Sequence, residues 1–243
     1  MYETIHMQKE YRLLIMNRIV LVFFSIISLS SFGWHYANAS ADSKVISVVS
    51  APYNNTYGDW TAKWWQWALS IPIESNPQND PSGKNCKIHQ NGPVWFLAGT
   101  PGGFVERDCV IPSDKSILFP IINSECSFIE YPNLKTEEEL RQCAKSQVDA
   151  VNNLFASIDG VELTDLKKYR ASSTIFDINF PQQNIYGVQP GTTKGISDGY
   201  WIFLNPLPPG KHEIHFKGSA VDYASTSSQN FVTETKYNLV VAK

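Results

Sequence analysis

Three groups of residues in this 243-residue chain carry side chains able to do chemistry. The first is an acid–base set: His89, Gln90, Glu125, Asp198, His212 and His215. Hydrolysis of a glycosidic bond takes two carboxyl groups across a cleft. Glu125 and Asp198 are candidates because each stands beside the end of an apolar tract, and His89 is a candidate base. The same carboxylates would serve equally well as turn caps or as partners of Lys and Arg. The second group is aromatic: Trp60, Trp64, Trp65, Trp67, Trp95, Tyr200 and Trp201. Indole faces suit the apolar C–H faces of sugar rings, although large aromatics also fill cores. The third is a loop with the hard oxygen donors Asn76, Asn79, Asp80, Ser82 and Asn85. Calcium takes such ligands, but one carboxylate and no DxDxDG spacing make it the lesser alternative to a turn-rich loop. No cofactor is otherwise expected. Walker, HExxH and Rossmann patterns are missing from the sequence, which removes the enzyme classes they mark.

The tryptophans need an element to hold them. Thr56 or Asp59 can cap a helix start and Pro72 stops it, so the sequence predicts a Trp-rich helix near 59–71. At 100° per residue Trp60, Trp64, Trp67, Ala68 and Ile71 share a face, and Ala62, Trp65 and Leu69 widen it. Lys63, Gln66 and Ser70 are left as a polar strip able to line a cleft. Trp65, off the centre of the stripe, is the expected exposed member. The ligand-binding candidates are accordingly Lys63, Trp64, Trp65, Gln66 and Trp201.

A second helix is expected near 137–158. Thr136 and Glu139 have capping-box spacing, and Leu140, Cys143, Ala144, Val148, Val151, Leu154 and Phe155 follow at helical intervals until Gly160. Much of the rest reads as strands: 44–50, 93–98, 104–111, 116–122, 174–180, 184–188 and 199–204, then alternating tracts around Ile214–Phe216 and Tyr237–Val241. Pro120 marks an edge or a bulge. Pro209-Gly210 fits a type II turn. Short strands separated by Pro and Gly turns give a mainly β chain: a single-domain antiparallel β-sandwich with the two helices inserted.

The compartment comes from the N-terminus and the cysteines. Lys9, Arg12 and Arg18 precede an uncharged apolar run over 19–32, and Ala37-Asn38-Ala39 fits a signal-peptidase site. Residues 1–39 thus read as a signal peptide and 40–243 as the domain; a retained anchor is the alternative. That run is short for a span of about 20 residues. No later segment is longer, so no stable membrane span is expected after cleavage. Cys86, Cys109, Cys126 and Cys143 form an even set, read as two structural disulfides, Cys86–Cys109 and Cys126–Cys143, each closing a modest local loop. Asn54 begins the sequon Asn54-Asn55-Thr56 and is a glycosylation candidate.

With 43% hydrophobic and 18% charged residues the chain is too apolar for disorder, and its net charge of −3 with no basic stripe excludes nucleic acid as the main partner. The segments TAKWWQWALSIP, GPVWFLAG, FPIINSE and SDGYW…PLPPGKHEIHF resemble an uncharacterised family of secreted proteins of bacteria and ammonia-oxidising archaea. The likeness runs over about 57–241. It implies export and one domain, and it carries no activity or catalytic residue. The best-fitting expectation is a secreted, periplasmic or envelope-associated binding protein without catalysis, its partner a polysaccharide or surface glycan. A secreted carbohydrate-active hydrolase or lyase and a structural envelope component are the alternatives.

Overall fold

Period-two alternation does most to set the architecture. In two long tracts Ile214, Phe216, Tyr237, Leu239 and Val241 are buried, while intervening Lys, Glu and His side chains lie on the more exposed face. Successive strand side chains point to opposite faces, so each tract must lay one face on a core. The computed structural model of the protein describes residues 41–221 and 230–243. The leader, its cleavage motif and the alternative of a retained anchor lie outside those residues. Among the described residues, no helix is long and apolar enough to cross a membrane.

In chain order the strands are β1 (Val94–Phe96), β2 (Gly103–Pro112), β3 (Ser116–Ser127), β4 (Val151–Ile158), β5 (Val161–Glu162), β6 (Arg170–Ser172), β7 (Phe176–Phe180), β8 (Gly191–Leu204), β9 (Gly210–Val221) and β10 (Asn230–Ala242). The helices are α1 (Tyr57–Ser70) and α2 (Glu137–Asp149). One sheet runs β1–β3–β8, with β6 and β7 in succession along the far side of β8; the other runs β2–β10–β9–β4–β5. The result is a mainly β, sandwich-like fold, as expected, but not a purely antiparallel one. β1 joins β3 and β2 joins β10 in parallel.

Three apolar layers follow from which face each strand residue takes. Trp95, Ile117, Phe119 and Ile202 of the first sheet meet Ile214, Phe216, Tyr237 and Leu239 of the second. Leu118, Trp201 and Phe203 point the other way and are covered by α1. Leu140 and Ala144 of α2 close over Cys126 and Ile196. Both expected disulfides are present: Cys86–Cys109 ties the 76–91 loop to β2, and Cys126–Cys143 ties β3 to α2.

Several sequence expectations are corrected. The helix expected to reach 158 ends at Asp149, and the remainder is β4. Val151, Leu154 and Phe155 fit either period. Pairing with β9 decides for strand, and Asp159 and Gly160, with φ of 55° and 76°, turn the chain tightly into β5. Residues 44–50 form no strand. A Val45–Leu204 bridge, the Ile46 N–H on the Phe203 carbonyl and the Asn205 N–H on the Lys44 carbonyl tie this segment to the end of β8. Residues 184–188 form turns held by Asn184, whose side chain bonds Pro181 and Val188. Gly210 has φ of 146°, beyond the type II value near +80°, and opens β9 instead. Pro120 sits at a register shift within β3, which is the bulge alternative.

Candidate ligand-binding site

Thr56 caps α1 with its hydroxyl accepting from the Asp59 N–H, while the Asp59 carboxylate accepts from the Thr56 N–H. The helix so started is apolar around most of its circumference, and such helices are packed on several sides. α1 lies on the first sheet and is covered laterally by partly buried Ile46, Val48 and Ile88. Trp65 is therefore buried, at 3% exposure, contrary to the expected surface position; Trp64 and Trp201 are sealed at 0%. The indoles meet edge-on, with Trp64 centred 5.0 Å from Trp65 and 5.4 Å from Trp201. An exposed tryptophan platform does not exist among the described residues.

Burial makes the indole N–H groups informative. Trp60, Trp64 and Trp67 donate to the carbonyls of Pro52, Leu97 and Ile88 at 2.9–3.0 Å. Nε1 of Trp65, Trp95 and Trp201 has no protein acceptor. A buried donor left unpaired costs about 1–3 kcal/mol. Trp65, with Trp64, borders a recess of about 420 Å³ whose other walls include Gln78, Gly99, Asn123 and Tyr186. Asn123 Nδ2 and Gln78 Oε1 are likewise buried and unpartnered. Trp201 Nε1 faces the space above Gly199, where a Cβ would stand 2.8 Å from it and 2.7 Å from the Asn123 Cβ. Glycine is required there because the indole and Asn123 already fill the position.

Arg107 braces the recess from behind. It is 1% exposed, and its guanidinium donates to the carbonyls of Gln78, Asp80, Ala98 and Gly99 and to the Tyr237 hydroxyl at 2.6–3.1 Å. Gln78 and Gly99 are thereby fixed relative to one another. The loop read as a calcium alternative is organised differently. The Asp80 carboxylate accepts from the N–H groups of Ser82 and Asn85 and from the Ser82 hydroxyl, and Asn76 bonds Ala68, Ile71 and Gln78. The Asn76, Asp80 and Ser82 oxygens are engaged internally, and the cation bound to the loop's backbone is Arg107.

Glu125 and Asp198 do not face each other across a cleft. In the β3–β8 register Glu125 opposes Ser197 and Ser124 opposes Asp198, which puts the two carboxylates on opposite faces of the sheet. Asp198 accepts from Arg170 Nε and Nη2 at 3.1 and 2.7 Å, and this pairing pushes the Arg170 pKa up. Glu125, 5% exposed, lies with an oxygen over Gly195 and beside Glu130, to which Ser127 donates at 2.6 Å. Burial, then the neighbouring Glu130 charge, holds the Glu125 carboxyl well above the usual range; burial raises Glu130 too. Two carboxyls side by side cannot both ionise cheaply. Tyr186, on the recess wall, keeps 39% of its surface exposed.

The other candidates lie elsewhere. Lys63, Gln66 and Ser70 do line a cleft, an open groove of about 560 Å³ that also includes His89. Gln66 donates there to the Asp177 carbonyl at 2.9 Å, and the Lys63 ammonium stands 5.8 Å from the Trp60 ring. His212 and His215 pair with Asp159 and Glu234 on the second sheet. Asn54 is exposed, with φ of 59°. Sequence reasoning missed Gln78, Arg107, Asn123, Glu130 and Tyr186. The available signal was polar Asn123 and Glu125 two apart in an apolar strand, opposite the small-residue run Gly195, Ser197, Gly199. No protein-family model, curated protein or solved structure matches the chain.

Proposed function

We propose that the chain is an exported binding protein without catalysis, and that it takes a unit of a polysaccharide or surface glycan into the recess beside Trp64 and Trp65. The observation that carries this reading is a recess of about 420 Å³ whose wall sets Trp64, Trp65 and Tyr186 beside the amide residues Gln78 and Asn123. Sugar hydroxyls donate and accept at once, and a pyranose presents apolar faces to indole rings. The volume lies within the range of small-molecule sites. Two disulfides support an oxidising compartment.

The test is retention on immobilised polysaccharides and oligosaccharide titration of the purified domain. Trp65→Phe keeps a ring but shortens the aromatic wall of the recess, and it should weaken binding severalfold. Trp65→Ala should abolish retention. Glu125→Gln should leave it intact. Retention on no matrix in the panel would sink the proposal. The hydrolase alternative loses its geometric basis, since Glu125 and Asp198 share no cleft.

A further inference from the structure

A second hollow, the open groove of about 560 Å³, follows a different side of α1 from the recess. At 100° per residue Lys63, Gln66 and Ser70 form a strip apart from Trp64 and Trp65. The helix itself pins the groove's two walls. The Trp60 N–H holds the Pro52 carbonyl, beside Tyr53, and the Trp67 N–H holds the Ile88 carbonyl, beside His89. Gln90 fixes the second wall further by exchanging hydrogen bonds with the Phe96 backbone. Walls set before binding lose little freedom when a ligand arrives.

Tyr53 and His89 line the groove and both adopt left-handed backbone, with φ of 55° and 52°. For a bulky residue such as Tyr that conformation is costly and persists only where the surroundings hold it. The Tyr53 hydroxyl shares a hydrogen bond with the Ser116 hydroxyl at 2.9 Å, and its ring meets Trp60 edge-on, yet the residue stays 43% exposed. An accessible aromatic ring is thereby fixed at the groove's edge. The charge beside it is positive. Lys63 is exposed and forms no ion pair among the described residues, and no carboxylate lines the groove among them. Asp59, one turn earlier on α1, spends its carboxylate on the Thr56 N–H and hydroxyl. His89 and Asn91, both exposed on the wall, add N–H donors. A fixed ring next to an unpaired ammonium and neutral donors suits a sugar ring that carries a carboxylate: apolar C–H groups on the tyrosine, carboxylate oxygens on the ammonium. The recess wall has no Lys, Arg or His among the described residues.

Resting on the glycan reading above, we propose that the groove is a second sugar subsite, separate from the recess, which takes a uronic acid unit through Tyr53, Lys63, His89 and Asn91. The probes are a galacturonic acid trisaccharide and its methyl ester, which keeps the rings and removes the charge. Each is titrated into the purified protein at pH 7 by calorimetry, with indole N–H resonances followed in parallel. The acid should bind more tightly than the ester and should shift Trp60 and Trp67, which border the groove. Lys63→Met should weaken the acid about two- to fivefold, the range of one exposed ion pair, and leave the ester unchanged. Lys63→Arg should restore it. Tyr53→Gly accepts the positive φ and removes the ring, so it should weaken both probes. Acid and ester bound alike, or both weakened equally by Lys63→Met, would overturn the selection of a carboxylate. Shifts at Trp65 without Trp60 and Trp67 would put the acid in the recess and overturn the second subsite while leaving glycan binding in place. Binding of neither probe, with a neutral polysaccharide still retained, would do the same. Binding of no carbohydrate at all would fail the glycan reading itself.

Discussion

Arg107→Met tests the packing account at its most buried polar point. The guanidinium serves five acceptors: the carbonyls of Gln78, Asp80, Ala98 and Gly99 and the hydroxyl of Tyr237. Hydrogen bonds from a charged donor are worth about 1.5–3 kcal/mol each in mutational series. Their sum overstates the loss, because methionine fills part of the volume and relieves the desolvation of a buried charge. Breaking a buried charged group's partnerships costs about 3–5 kcal/mol net. Against a total stability of about 5–15 kcal/mol, that is enough to bring the domain near its unfolding threshold. Arg107→Lys retains the charge but offers three rotating donors in place of a planar fork, so it should recover less than half. Urea unfolding followed by tryptophan fluorescence, with unchanged denaturant slope, measures both. A loss under about 1 kcal/mol for the methionine variant would refute the idea that Arg107 ties the 76–86 loop to the recess wall.

Other consequences are equally concrete. Glu125 and Glu130 have folded pKa values raised above the unfolded value near 4.3. Their contribution to stability is therefore complete below that pH and is lost as pH rises through the raised values. Asp80 and Asp159, lowered by hydrogen bonds that outweigh their burial, act oppositely and withdraw stability as pH falls through their depressed values. Stability measured by urea unfolding should fall from pH 5 to pH 8, and Glu125→Gln should flatten that slope. An unchanged slope would separate the carboxyl pair from the pH dependence. Gly199→Ala sets a Cβ 2.7 Å from the Asn123 Cβ and 2.9 Å from its Cα, so the strands must shift; a loss of about 1–3 kcal/mol is expected on thermal unfolding. Removing the Cys126–Cys143 bridge by a double serine variant should cost about 2–4 kcal/mol in the same assay.

The sequence made legible the features whose cause is local. The capping boxes at Thr56 and Thr136, the alternation in β9 and β10, and two cysteine pairs closing short loops all depend on neighbours along the chain. β4 was hidden because Val151, Leu154 and Phe155 satisfy helical spacing, and only β9, distant in sequence, decides between periods. The recess was hidden by a single bulge. Simple alternation along β3 puts Asn123 on the same face as Ile117, Phe119 and Ile121, between the sheets. The register shift between Pro120 and Ile122 lets Ile121 and Ile122 both face inward. Asn123 and Glu125 are thereby turned toward the α1 side. Trp65 was misplaced for a related reason: a helical wheel shows which residues share a face, not that loops cover the remaining faces.

The most direct measurement follows the indole N–H resonances of nitrogen-15-labelled protein during titration with a neutral oligosaccharide from the panel of the proposed function. Trp65, on the recess wall, should shift strongly, whereas Trp201, sealed and outside that wall, should not. Trp60, Trp64 and Trp67, already bonded to backbone carbonyls, should move little. Saturating ligand that leaves Trp65 in place while binding is detected, or shifts confined to the three bonded indoles, would contradict the recess as the binding site.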